Sequence, residues 1–175
     1  MKKIKAGIIG MGFIGVSHIE AVRRIGFAEL TAVADVNYEL AKRKAGDYFI
    51  PKCFKPVDEL LADPEINVVH NCTPNNLHRE VNEKIIRAGK HIFSEKPLAR
   101  NSGESAHMLK LLYENKNIVH GVNFNYRMNP LVQEMKNKIK NGEIGTPKLV
   151  HGSYLQDWLL YETDYNWRIE PEFCG

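Results

Sequence analysis

An apolar, strand-like run passes directly into a glycine-rich turn in the stretch Ala6-Gly7-Ile8-Ile9-Gly10-Met11-Gly12-Phe13-Ile14-Gly15, and a helical pattern follows. Backbone amides at a helix N-terminus, together with the helix dipole, favour a bound phosphate. A side chain at Gly10 would obstruct the tight turn, one at Gly12 would keep the backbone away from a phosphate, and one at Gly15 would push the helix off the strand. The stretch therefore predicts dinucleotide binding; a turn that needs glycine for packing only is the alternative.

A carboxylate follows the second predicted strand. Asp35 comes 35−15 = 20 residues after Gly15, close to the roughly 20 expected for the acid that binds the adenosine ribose. A carboxylate accepts hydrogen bonds from a ribose 2′-hydroxyl and repels a 2′-phosphate, and Val36-Asn37 supplies no cation beside it. The sequence therefore favours NAD as the cofactor, although Arg43 and the lysines around it leave NADP as a less favoured alternative.

Strand-length apolar runs alternate with helical patterns over residues 1–123, which is typical of an α/β fold with a doubly wound parallel sheet, the Rossmann fold. The predicted strands are Lys5–Ile9, Glu29–Ala34, Lys52–Phe54, Asn67–Cys72, His91–Ser94 and Ile118–Val122. The predicted helices are Ile14–Gly26, Tyr38–Ala45 with Asn37 as N-cap, Val57–Ala62, Asn76–Ala88 and Ser102–Lys116. We assign residues 1–123 to one NAD(P)-binding domain.

Residues 124–175 have a different pattern. An amphipathic helix is predicted over Leu131–Lys140 and a long strand over Lys148–Leu160. One strand cannot form a stable sheet alone, so we interpret this part as the start of a second, truncated α+β domain for substrate binding and oligomerisation. Its exposed strand edge could pair with a copy of itself, and we expect a homo-oligomer for the full-length protein.

Composition excludes several classes of function. Of 175 residues, 43% are apolar and 26% are charged, and the net charge is only +3. No basic patch is interleaved with aromatic residues, which argues against a nucleic-acid partner. The three cysteines show neither metal-ligand nor disulfide spacing, and no stretch approaches the ~18 apolar residues of a membrane span. We expect a soluble, cytoplasmic protein with no metal and no membrane partner.

Polar residues also follow the later predicted strands, as Thr73-Pro74-Asn75-Asn76-Leu77-His78, Glu95-Lys96-Pro97 and Asn123-Phe124-Asn125-Tyr126-Arg127. Ligands of an open parallel sheet bind at these strand ends. A nicotinamide dehydrogenase removes a hydroxyl proton while the carbon loses hydride, and the ammonium of Lys96 would stabilise the developing alkoxide. Glu95 would orient that ammonium or contact the cofactor. An ordinary surface lysine is the alternative for Lys96.

The histidines allow fewer conclusions. His78 either faces the nicotinamide end of the cleft or only occupies the first turn of its helix. His70 lies in an apolar strand and is interpreted as a core histidine with its hydrogen bonds satisfied. The remaining histidines share no metal-ligand spacing, and no Ser/His/Asp or Cys/His grouping indicates nucleophilic catalysis.

These motifs together resemble the Gfo/Idh/MocA oxidoreductases, the group of glucose–fructose oxidoreductase and inositol dehydrogenase. The resemblance covers essentially the whole chain and rests on Gly10–Gly15, Asp35, Thr73–His78, Glu95-Lys96-Pro97, Tyr126-Arg127 and Gly142-Glu143-Ile144-Gly145. It implies NAD(P)-dependent oxidation or reduction of a sugar, polyol or related secondary alcohol.

The resemblance also implies residue roles. Lys96 matches the family's catalytic lysine, Thr73-Pro74-Asn75 the segment lining the nicotinamide ribose, and Trp167-Arg168 a pair that some members place against cofactor and substrate. The expected cofactor-binding residues are Gly10, Gly12, Phe13, Ile14, Gly15, Asp35, Thr73, Pro74, Asn75, His78, Glu95, Lys96, Asn123, Trp167 and Arg168. The expected substrate-binding residues are Lys96, Tyr126 and Arg127.

One departure from the family pattern affects the expected activity. The family completes its site with an aspartate and a histidine a few residues apart on a helix. Here Asp157 and Asp164 come too early for that helix, and no histidine follows His151. The resemblance therefore implies that this polypeptide binds cofactor but turns over poorly or not at all. A non-catalytic NAD-binding sensor is the alternative function.

Overall fold

The computed structural model describes residues 3–174. The chain divides into two units. The first unit contains residues 3–123 and 171–174, and the second contains residues 124–170. Residues 171–174 thus group with the first unit, whereas the sequence pattern assigned them to the second domain.

The first unit is built on one six-stranded parallel sheet with the strand order β3-β2-β1-β4-β5-β6. The strands are β1 Ile4–Ile9, β2 Ala28–Ala34, β3 Lys52–Phe54, β4 Val68–Asn71, β5 His91–Ser94 and β6 His120–Val122. The predicted doubly wound Rossmann sheet is confirmed. Strand order reverses between β1 and β4, and ligands of such sheets bind at that point, beyond the carboxyl ends of the strands.

The helices of the first unit begin and end close to the predicted positions. They are α1 Phe13–Arg24, α2 Tyr38–Asp47, α3 Val57–Ala62, α4 His78–Arg87, α5 Ser102–Glu114 and the short α7 Pro171–Cys174. Asn37 caps α2, as predicted, by accepting a hydrogen bond from the Leu40 amide at 3.1 Å. That helix continues through Gly46, and the chain then passes through Phe49 at φ +48°. A short 3-10 turn, Asn75–Leu77, precedes α4 in place of one continuous helix.

Two apolar clusters pack on the two faces of the sheet. Ile8 belongs to the cluster that includes α1 and α2, and its neighbour Ile9 belongs to the cluster that includes α3 and α4. Successive strand side chains point to opposite faces, so helices on both faces are required to bury β1. Both side chains are at most 1% exposed.

The second unit contains α6 Pro130–Lys140, flanked by the 3-10 turns Asn125–Met128 and Trp167–Ile169. The prediction of a strand over Lys148–Leu160 is wrong, because the structure has no strand there. A strand needs neighbours to bond its backbone, and the described residues of this unit supply none. Residues 148–160 therefore present no strand edge with which a second copy could pair. Within residues 3–174, no helix is both long enough and apolar enough to span a membrane.

Candidate functional site

The sheet register aligns the carboxyl ends of five strands. Ile9 pairs with both Ala34 and Asn71, Asn71 pairs with Ser94, and Ser94 pairs with Val122. The residues that follow those strands therefore begin at one edge of the sheet. They include Gly10, Asp35, Thr73, Glu95 and Asn123.

Two glycines are required by the shape of the turn after β1. Gly10 has φ +95°, and a Cβ there would lie 2.5 Å from the Cys72 carbonyl oxygen. A Cβ at Gly15 would collide with the Gly10 carbonyl oxygen, whereas the nearest strand side chain, Ile8, is 3.9 Å away. Gly15 is thus needed to close the turn, and not to set the distance between helix and strand.

Gly12 faces open space. It is the N-cap of α1, a Cβ there would meet nothing within 4 Å, and its position provides no side-chain cap for the helix. No acidic residue occupies the first turn. Phe13 is 91% exposed, while the Ile14 side chain packs against the core, so Ile14 offers a ligand only its backbone. The backbone amides here form a cradle that suits an anion.

Asp35 is attached to the same turn. One carboxylate oxygen accepts a hydrogen bond from the Met11 amide at 2.6 Å, and the other accepts from the Asn37 amide at 2.8 Å. Each carboxylate oxygen accepts more than one bond, so the group retains capacity for ribose hydroxyls. The half-buried carboxylate therefore lies beside the anion cradle.

The segment after β4 is fixed by buried amides. The Thr73 amide and hydroxyl donate to the Asn71 side-chain oxygen at 3.2 and 2.7 Å, and the Asn71 amide group donates to Asn82 at 2.6 Å. Asn75 donates to the Cys174 sulfur at 3.3 Å. Pro74, between them, is exposed.

His78 occupies the first turn of α4, the second of the two predicted interpretations. It is 1% exposed, with Nδ1 2.6 Å from the Pro97 carbonyl oxygen and Nε2 2.8 Å from the Thr73 carbonyl oxygen. Each ring nitrogen therefore faces a backbone carbonyl oxygen, which can only accept a hydrogen bond. The ring joins the segment after β4 to the segment after β5, and its expected contact with a cofactor stays a prediction.

Glu95 is buried and Lys96, next to it, is exposed. The Glu95 carboxylate accepts hydrogen bonds from His18 Nε2 at 3.0 Å, from Asn123 Nδ2 at 2.5 Å and from the Lys96 amide at 3.2 Å. Burial acts to raise the pKa of Glu95, but these bonds and the nearby His18 outweigh it and lower the pKa below the usual value. The Glu95 carboxylate is therefore ionised and only accepts hydrogen bonds. One of those bonds comes from the backbone amide of Lys96.

Sequence reasoning missed the role of His18. The His18 side chain bonds both Glu95 and His70, with 2.8 Å between the Nδ1 atoms of the two histidines. His70, interpreted from the sequence as a core histidine, is half-buried and has its Nδ1 next to that of His18, and burial together with His18 lowers the pKa of His70 to about 4. A polar residue on the buried stripe of α1 was the signal available in the sequence.

The remaining predicted residues lie in the second unit. Tyr126 and Arg127 are exposed, and the Tyr126 hydroxyl is 3.0 Å from that of Tyr154. The Arg168 guanidinium stacks 4.6 Å from the centre of the Trp167 ring. Among residues 3–174, no group of three potential ligand side chains is placed to hold a metal ion.

Comparison with known proteins identifies the family. The model of an oxidoreductase family with an NAD-binding Rossmann fold, Gfo/Idh/MocA, matches residues 4–124. The chain belongs to the Gfo/Idh/MocA oxidoreductase family.

Its relatives include dehydrogenases of sugars and polyols. It is 36% identical to levoglucosan dehydrogenase from Pseudarthrobacter phenanthrenivorans, over 100% of this chain and 47% of that protein. It is 30% identical to myo-inositol 2-dehydrogenase from Thermotoga maritima, over 84% of this chain and 44% of that protein. A crystal structure of levoglucosan dehydrogenase with NADH and L-sorbose superposes with a TM-score of 0.92 at 35% identity, covering 99% of this chain and 48% of that one. This chain thus spans about half the length of these relatives.

Proposed function

We propose that this chain forms the NAD-binding half of a dehydrogenase that transfers hydride between NAD and a secondary alcohol of a sugar or polyol. The observation that carries the proposal is the open amide cradle at Gly12 with the Asp35 carboxylate bonded to the same turn. An anion-binding cradle beside a hydroxyl-binding carboxylate matches the two polar parts of an NAD molecule. The levoglucosan and inositol dehydrogenases among the relatives support this substrate class.

The residues of the first unit fit this cofactor. The backbone around Gly12 would hold the diphosphate, and Asp35 would accept from the adenosine ribose. Thr73-Pro74-Asn75 and Asn123 begin at the same sheet edge and would contact the nicotinamide half. Bound NAD supplies the hydride acceptor. Asp35 favours NAD over NADP because a 2′-phosphate would meet its negative charge.

Lys96 is the proposed catalytic residue. Its exposed ammonium would donate a hydrogen bond to the substrate oxygen and stabilise the negative charge there while the carbon gives its hydride to NAD and the hydroxyl proton is released to solvent. Tyr126 and Arg127 are proposed substrate contacts, and Trp167 with Arg168 proposed cofactor contacts. The cytoplasmic location and the homo-oligomer expected from the sequence stay predictions.

Cofactor titration tests the first part of the proposal. NADH binding is measured by calorimetry on the wild-type chain, on the double variant Asp35→Ser with Val36→Arg, and on Asp47→Ser as a control at an exposed aspartate. We expect the double variant to lose NADH affinity by about tenfold, or ~1.4 kcal/mol, and to gain affinity for NADPH. Wild-type protein that binds no NADH, or an unchanged ratio of the two affinities, contradicts the proposal.

Hydride transfer tests the second part. NADH absorbance is followed with levoglucosan, myo-inositol and related polyols, using the protein in its complete natural form. Lys96→Met should retain NADH binding and lose at least about 100-fold in kcat, as expected when a group that stabilises transition-state charge is removed. NADH binding without transfer to or from any polyol would favour the non-catalytic sensor instead.

A further inference from the structure

A chain of hydrogen-bonded side chains, two of them buried and one half-buried, ends at the Lys96 amide. It runs from His70 on β4 to His18 on α1 and on to Glu95 after β5, with contacts of 2.8 and 3.0 Å. His18 and Glu95 are 5% and 4% exposed. The second carboxylate oxygen of Glu95 accepts from the Lys96 amide. Side chains from three elements thus converge on the residue proposed to contact substrate.

The bonding pattern fixes where the protons are. An ionised carboxylate only accepts hydrogen bonds, so His18 must carry its proton on Nε2 to bond Glu95. Its Nδ1 then faces His70 Nδ1, and one of these two nitrogens must donate while the other accepts. His70 is neutral at pH 7, because burial lowers its pKa to about 4. A neutral histidine has one donor and one acceptor nitrogen. The Nδ1 of His70 can therefore either donate to the Nδ1 of His18 or accept from it.

The same contacts connect two parts of the site. His18 lies one turn after Gly15 on the helix whose N-terminus forms the anion cradle, and Glu95 carries the Lys96 peptide. Asn123 donates to the same Glu95 oxygen as His18, so the carboxylate accepts three hydrogen bonds in all. The distance between the cradle and Lys96 is therefore set by side-chain bonds as well as by the sheet.

We infer that His18 is a positioning residue, which holds Glu95 so that Glu95 fixes the Lys96 peptide relative to the dinucleotide cradle. This inference rests on the proposed function, and it deepens that function by assigning an orienting residue on α1 to Lys96. Errors of about 1 Å in the placement of a reacting group can cost on the order of 100-fold in rate. Loss of the His18–Glu95 bond should therefore lower the rate of the chemical step more than the affinity for cofactor.

Two substitutions at His18 separate positioning from packing. In His18→Gln the side-chain amide nitrogen reaches the place of Nε2 and can still donate to Glu95. In His18→Asn the amide nitrogen reaches only the place of Nδ1, so the bond to Glu95 is lost while a polar group still faces His70. His151→Asn, at an exposed histidine of the second unit, is the control.

The first measurement needs no cofactor. Hydrogen exchange of the Lys96 amide, followed by NMR, should be about tenfold faster in His18→Asn than in the wild-type chain, since local opening sets exchange rates. His18→Gln and His151→Asn should exchange within about threefold of wild type. Equal exchange in His18→Gln and His18→Asn, fast or slow, overturns the inference.

A second measurement on the wild-type chain does not depend on any variant folding. Nitrogen-15 shifts of the histidine rings report which nitrogen carries the proton. A protonated Nε2 of His18 supports the inference, and a ring with its proton on Nδ1 alone overturns it.

A third measurement distinguishes failure of this inference from failure of the proposed function. In the complete enzyme, His18→Asn should lower kcat by about 10- to 100-fold, with the NADH Kd within about twofold of wild type. His18→Gln should recover most of that loss. Wild-type protein without NADH binding refutes the proposed function, whereas normal binding with an unchanged kcat in His18→Asn refutes only the inference.

Discussion

The two units differ in what their apolar residues contact. In the first unit Leu60 is fully buried between α3 and the sheet, whereas Leu155 in the second unit is 88% exposed. No residue of 124–170 is buried. Burial of apolar surface is the main term that opposes chain entropy. A regular apolar pattern is therefore insufficient for stable structure; the pattern also needs a second surface within the same unit to pack against.

The distribution of tryptophan allows the two units to be observed separately. Both tryptophans, Trp158 and Trp167, lie in the second unit. Tryptophan fluorescence therefore reports on the second unit, and far-ultraviolet circular dichroism reports mainly on the helices of the first. The substitutions below use matched residues of the two units.

The largest expected effect is at a pair of leucines. Leu60→Ala leaves a cavity in the core and should lower the free energy of unfolding of the first unit by about 4 kcal/mol, measured by urea titration with circular dichroism. Leu155→Ala removes only exposed surface and should change it by less than about 0.5 kcal/mol. Similar effects of the two substitutions would remove the distinction between the units.

A pair of glycines with positive φ comes next. In Gly10→Ala the new side chain has an unfavourable φ of +95° and collides with the Cys72 carbonyl. The substitution should lower the free energy of unfolding of the first unit by about 3 kcal/mol. It should also abolish NADH binding. Gly142→Ala has φ +75° but open space around it, so only the local strain of about 1 kcal/mol remains, confined to the second unit. A loss of NADH binding in Gly142→Ala, with the first unit still folded, would contradict this expectation.

Acid should destabilise the first unit through His70. The pKa of His70 is about 4 in the folded protein and 6.5 when unperturbed. The unfolded chain therefore takes up a proton first, and stability is full above pH 6.5 and falls as the pH drops toward 4. We expect this residue to account for a loss of about 3 kcal/mol in the free energy of unfolding. His70→Gln should flatten that part of the stability profile; an unchanged profile would show that His70 does not titrate in this way.

The smallest effect is expected at two helix N-caps. Asn101 accepts from the Glu104 amide at the start of α5, and Asn129 accepts from the Leu131 amide at the start of α6, each at 2.9 Å. Asn101→Ala should lower the stability of the first unit by about 1 kcal/mol. Asn129→Ala should leave that value unchanged and alter only the fluorescence transition. A circular-dichroism midpoint that shifts equally in both variants would argue that the two units unfold together.

Local chemistry made much of the fold predictable. Gly10 and Asn37 were recognised because a left-handed turn and a helix N-cap each need a particular residue type within a few positions. The alternation of strands and helices then determined the sheet. By contrast, the end of α2 was misplaced by two residues: glycine often ends a helix, but α2 passes through the exposed Gly46 and ends at Asp47.

The features that were not predicted correctly depend on contacts between residues distant in sequence. Lys148–Leu160 has a strand-like pattern but no partner to bond its backbone. The bond between His18 and Glu95 spans 77 positions of sequence, and no local pattern indicates it. The site was therefore predictable as a set of strand-end residues, but the bonds that orient those residues were not.

The attachment of Asp35 to the Met11 amide has a consequence for the thermodynamics of ligand capture. Immobilising a free side chain at the moment of association costs about 0.5–1.5 kcal/mol. Here the carboxylate is already immobilised when the polypeptide folds, so under the proposed function a dinucleotide would meet a preorganised acceptor. The conformational entropy of that side chain is lost once, during folding, and does not reduce the free energy of each binding event.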